Sequence, residues 1–150
     1  MGVVGLCIDG CHIGGWKEES IIAHLDSRLD LTLLSEAALA NLKEPPCIHT
    51  VRGFQLKGVT GETRVKGYVN LRLWLRSKSG IWVEFLKEAW VLKDLKVPLL
   101  LGEDFHINYR LSTVRDNHGS QATLFHDGWL VTILAHSAPP GQPSWGGESE

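Results

Sequence analysis

Residues Val69 to Lys93 constrain this chain more than any other stretch. Val69, Leu71, Leu73 and Leu75 alternate with Asn70, Arg72, Trp74 and Arg76. Successive side chains of a strand point to opposite faces, so this alternation predicts a long strand buried on one side only. Ser77-Lys78-Ser79-Gly80 reads as a turn. Ile81 to Lys93, rich in Trp, Val and Phe, returns as the partner strand.

The rest of the chain extends the β pattern. Val3 to Ile8 reads as a short strand, Asp9-Gly10 as a turn, and Cys11-His12-Ile13 as the second arm of a hairpin. Residues 14 to 19 form a polar connection, and Ser20 to Leu25 is a buried strand. Ser35 to Lys43 is the best helix, with Ser35 as N-cap and Pro45-Pro46 ending it. Phe54 to Lys57 and Arg64 to Tyr68 flank Gly58-Val59-Thr60-Gly61-Glu62-Thr63, a hairpin with two glycines at its tip. Leu95 to Leu101 is another buried strand, and Gly102-Glu103-Asp104-Phe105 opens a short helix reaching about Tyr109. Leu111 to Val114 and Ala122 to Phe125 can pair. Trp129 to Leu134 is a last apolar strand and a candidate interface strand, since bare apolar edges aggregate. Residues 137 to 150 carry Pro, Gly and Ser without periodicity and read as a disordered tail to a domain spanning 1 to 136. This is a mostly β chain with one or two short helices, and it points to a small closed or folded-over barrel.

At 150 residues the chain is long enough for one domain with a core of its own. A formal charge of −2 and scattered basic residues argue against nucleic acid or an anionic membrane as partner. No apolar run approaches the ~20 residues of a membrane span. The first residues, Met1-Gly2-Val3-Val4-Gly5, lack the basic flank and apolar core of a signal peptide, so an intracellular, cytoplasmic location is expected. Cys7, Cys11 and Cys47 are too few for a disulfide framework. Cys7, Cys11 and His12 lack a second ligand pair, so they are expected to be free thiols and an ordinary His, with no metal and no cofactor.

The chemistry concentrates where Ile21-Ile22-Ala23-His24-Leu25 delivers Asp26-Ser27-Arg28-Leu29-Asp30. A carboxylate at the end of an apolar strand is costly unless something pairs with it. Asp26 can cap its own turn, or it can do chemistry. Leu25-Asp26-Ser27 with its apolar run to Ser35-Glu36 resembles the active-site turn of the retropepsins, the aspartic peptidases of retroviral and gypsy-type retrotransposon polyproteins. The glycine-bearing hairpin and the following Val65-Lys66-Gly67-Tyr68-Val69-Asn70-Leu71 are similar to their flap and the strand leaving it. Val97-Pro98-Leu99-Leu100-Leu101-Gly102-Glu103-Asp104-Phe105 looks like their Ile-Leu-Gly-x-Asp-Phe segment. The three landmarks come in the family's order.

The resemblance implies a small closed β-barrel of the retropepsin, or acid protease, type and an aspartic endopeptidase acting on a polypeptide substrate. It makes Asp26 and Ser27 catalytic, one Asp26 coming from each subunit of a homodimer. Asp30, Gly58, Val59, Thr60 and Gly61 would meet substrate as loop support and flap. Arg28, Leu101 and Gly102 would support the active-site turn. The chain departs from the family at Arg28, where the pattern has Gly. A guanidinium pointing inward would favour the ionised carboxylates and remove the shared proton. One pointing outward could pair with Asp30. The alternative to a peptidase is a catalytically dead interaction module of the same fold, from a degenerate or domesticated retroelement.

Overall fold

The computed structural model describes residues 5–50, 65–117 and 119–137. Among them are nine strands and two short helices. The strands are β1 (Leu6–Ile13), β2 (Ile21–Leu25), β3 (Leu33–Ser35), β4 (Val65–Arg76), β5 (Trp82–Leu92), β6 (Leu99–Leu101), β7 (Ser112–Asp116), β8 (Gly119–His126) and β9 (Trp129–Ser137). The helices are α1 (Glu36–Ala40) and α2 (Glu103–Asn108).

The hydrogen-bonded order β2-β6-β3-β5-β4-β1 closes on itself because β1 also pairs with β2. The result is a closed six-stranded barrel, one of the two forms that the strand pattern left open. Closure removes the exposed edges that an open sheet would leave. From β1 the sheet continues outward through β9, β8 and β7. The long hairpin forms as expected: β4 and β5 pair from Arg76–Trp82 at the turn back to Val65–Leu92. Val69, Leu71, Leu73 and Leu75 are buried in the main core with Phe85, Ala89 and Val91.

Four expectations change in detail. Asp9-Gly10 makes no hairpin. Cys11 to Ile13 continue β1, and Ile8 pairs with Ala23 while Cys11 pairs with Ile21. One residue too many on β1 therefore forms a bulge, with Gly10 at φ +71°. The α1 helix stops at Ala40 rather than Lys43. The buried Glu18 carboxylate takes the Lys43 N–H at 2.8 Å and the Glu44 N–H at 3.0 Å, so those donors leave the helical ladder. Ser35 is the N-cap, its hydroxyl accepting from the Ala38 N–H. The strand expected over Leu95 to Leu101 is reduced to β6, since Pro98 has no N–H to give a ladder. Leu95 and Val97 instead pack with Leu29, Leu33, Leu92 and Leu100 in a second, smaller cluster. The final strand runs three residues further than expected, to Ser137. The glycine-bearing hairpin tip and residues 138–150 lie outside the described residues.

Candidate active site

Asp26 leaves β2 at its last residue, Leu25. On the side away from β1, β2 pairs with the parallel strand β6, with Leu25 opposite Leu101. This register sets the Asp26 N–H on the Leu101 carbonyl at 3.0 Å. The turn is tightened by Leu29, whose N–H reaches the Asp26 carbonyl at 3.4 Å, and by Arg28, whose N–H reaches Asp26 Oδ1 at 3.0 Å. Such side-chain acceptance two residues on is the Asx-turn habit of Asp.

Gly102 lets the second half of the site come close. A Cβ there would overlap the Leu31 carbonyl and sit 2.9 Å from the Leu29 carbonyl oxygen. The close approach lets the Glu103 N–H reach the Leu29 carbonyl at 2.7 Å and the Asp104 N–H reach that of Asp30 at 3.0 Å. Below them Thr32 is fully buried. Its hydroxyl donates to Asp104 Oδ1 at 2.8 Å and accepts the Gly102 N–H at 3.2 Å, while its own N–H donates to Asp104 Oδ2. The Lys87 ammonium closes the group on Asp104 Oδ2 at 3.0 Å.

Arg28 points inward. Its Nε donates to Asp26 Oδ1 and its Nη2 to Asp26 Oδ2, both at 2.9 Å. This is the bidentate fork that planar guanidinium and carboxylate groups make best. The carboxylate side chain is 4% exposed beneath a guanidinium side chain that is 62% exposed. The hydrogen bond to Asp26 pushes the Arg28 pKa above its ordinary value, against a smaller opposing effect of burial. A guanidinium in such contact favours the ionised form of a carboxylate.

The structure thus brings Asp26, Arg28, Leu101 and Gly102 together. Ser27 and Asp30 are on the same turn but exposed, and Asp30 contributes its backbone carbonyl. Gly58, Val59, Thr60 and Gly61 lie outside the described residues. Sequence reasoning missed the Thr32–Asp104–Lys87 group. A lone Thr inside the apolar run Leu31 to Leu34 was the available signal for it. Among the described residues no three His, Cys, Asp or Glu side chains converge as metal ligands. Cys7 faces His24 Nδ1 at 3.3 Å, and His12 faces the Glu18 carbonyl. Burial pushes the Cys11 thiol up to about 12.

A scan with protein-family models finds no match, and a search of curated proteins finds none either. Among solved structures the chain is similar to the retroviral protease-like domain of Ddi1 from Leishmania major. The TM-score is 0.58 at 17% identity, over 92% of this chain and 97% of that one. The chain has a retropepsin-like fold. Identity this low carries the fold alone, so the activity has to be argued from the Asp26 turn. No described helix is long and apolar enough to cross a membrane.

Proposed function

We propose that this chain is an aspartic-peptidase scaffold whose carboxylate is switched off, serving as folded as a homodimeric polypeptide-binding module. The bidentate Arg28–Asp26 pair carries the reading. Catalysis by a pair of aspartates, one from each subunit, requires one proton shared between them, because like charges that close cannot both ionise. The ionised member takes a proton from the attacking water. The protonated member donates to the scissile carbonyl. A guanidinium in contact with each Asp26 favours the ionised form of both. The general acid is then missing, and the cleft can hold a peptide without cutting it. A degenerate or domesticated retroelement copy of a peptidase would be left in this state.

The exposure of Arg28 favours a second reading, an active endopeptidase. A side chain 62% exposed can swing into solvent when the second Asp26 arrives. The remaining turn, with Asp26 on Leu101 and Gly102 on Leu31, is built as a working site needs.

Peptide cleavage between about pH 3 and 7, the range that spans ordinary carboxylates, separates the two. The unaltered chain, Arg28→Gly and Asp26→Asn are compared at a concentration where each is dimeric. We expect the unaltered chain to be silent, Arg28→Gly to gain about a hundredfold or more, the scale of general acid–base catalysis, and Asp26→Asn to be silent. Activity of the unaltered chain equal to that of Arg28→Gly, abolished by Asp26→Asn, establishes the endopeptidase instead. A chain that is monomeric at high micromolar concentration overturns the dimer in both readings.

A further inference from the structure

The far end of the molecule holds a groove unrelated to Asp26. It lies between the β4–β5 turn and the β8–β9 turn and encloses about 840 Å³. That volume falls in the range of small-molecule sites, which are concave, mostly apolar and furnished with a few polar groups. Ile81, Val83, Trp129, Leu130 and Val131 supply its apolar lining. Ile81, Trp129 and Leu130 are exposed, although large apolar side chains gain by burial. Asp26 follows Leu25, which pairs with Leu6, and Leu6 pairs with Ser137 at the opposite end of β9 from Trp129. Along β9 that is roughly 25 Å at the usual rise per residue.

The charges of the groove are placed at its two ends. Lys78 is anchored by its own N–H on the Thr132 carbonyl at 2.7 Å. It lines the groove and has no ion-pair partner among the described residues. Asp127 stands at the other end beside Trp129, faces solvent, and has His126 Nε2 at 3.7 Å. An apolar floor with an available ammonium at one end complements a molecule with an apolar tail and an anionic head. The carboxylate at the Trp129 end repels that head and so sets its direction. We infer that this groove binds an apolar organic anion, with its acid group on Lys78 and its hydrocarbon chain running over Ile81 and Leu130 toward Trp129. The site is independent of whether Asp26 is catalytic.

The full chain is titrated with decanoate, decanol and decyltrimethylammonium below their aggregation limits, followed by backbone amide NMR. Decanoate is expected to shift the amides of Lys78 to Ile81 and Trp129 to Thr132 saturably and to bind tightest of the three. Lys78→Glu should weaken decanoate at least tenfold and raise the affinity for decyltrimethylammonium, while Lys78→Arg should keep decanoate binding. Lys78 is exposed and its backbone anchor survives either change, so folding is preserved. Equal affinity for all three probes, or an affinity indifferent to Lys78→Glu, overturns the inference. So do decanoate shifts located elsewhere. Shifts of the groove amides that follow protein concentration without any probe would mean that a second copy covers the groove, which also overturns it.

Discussion

The two ends of the barrel are held together by different forces. At the Asp26 end, chain segments about 70 residues apart are cross-bonded through Thr32, Gly102, Asp104 and Lys87, and the polar groups there are paired. At the far end, the β4–β5 turn is joined to β9 by the Lys78 N–H on the Thr132 carbonyl, and large apolar side chains face solvent. Buried polar groups tolerate no half-measures, because an unpaired one costs its desolvation outright. Exposed apolar groups can wait for a partner. The first end is therefore closed by paired polar groups, and the second leaves apolar surface uncovered.

The sharpest way to break this contrast is with added methyl groups. Gly102→Ala drives a Cβ into the Leu31 carbonyl, and backbone cannot give way as a side chain tip can. We expect a loss of about 3 kcal/mol, the upper end for overpacking, or failure to fold. Gly128→Ala, at φ +81° with open space around it, should cost only about 1–2 kcal/mol from backbone strain. Urea unfolding of both variants measures the difference, and equal losses would erase the contrast.

Carboxylates give the next largest effect. Asp104→Ala orphans the Thr32 N–H and leaves Lys87 without its carboxylate partner, which should cost roughly 2–3 kcal/mol. Asp127→Asn keeps a residue that tolerates the left-handed region at φ +51° and should stay within about 0.5 kcal/mol. Circular dichroism melts of the pair check this, and an Asp104→Ala chain as stable as Asp127→Asn would show that the cross-bonding is idle.

The smallest effect sits where β9 joins the barrel. His136 Nε2 meets Asp9 Oδ1 at 2.9 Å, and that hydrogen bond holds the His136 pKa above its ordinary value. A raised folded pKa means stability fully present below the unfolded pKa and lost as pH rises through the folded one. Both side chains are largely exposed, so the gain is under about 1 kcal/mol. Stability of the unaltered chain minus that of Asp9→Asn should therefore shrink from pH 6 to pH 8. A difference that grows over that range would reverse the assignment.

Period-two alternation made the β4–β5 hairpin legible, because which face is buried is a local property of a strand. The Ser35 cap was legible for the same reason: its acceptor sits three residues from its donor. Asp9-Gly10 misled, since the same dipeptide serves a turn or a bulge, and the choice belongs to β2 and β4, which keep pairing beyond it. Lys43 misled because Glu18, 25 residues away, takes its N–H.

By itself the sequence determined the class of the molecule: alternating strands, one capped helix, and the ordered landmarks around Asp26 and Gly102. Local patterns suffice there because strands and caps are decided within a few residues. The tertiary structure alone decided which group Asp26 meets. Arg28 had two carboxylates within reach, Asp26 and Asp30, and sequence spacing does not choose between them. The closing of Glu103 and Asp104 onto the Leu29 and Asp30 carbonyls fixes the turn so that both oxygens of Asp26, and not the exposed Asp30, meet the guanidinium fork. A partner chosen by packing between distant segments is written in no single stretch of the chain.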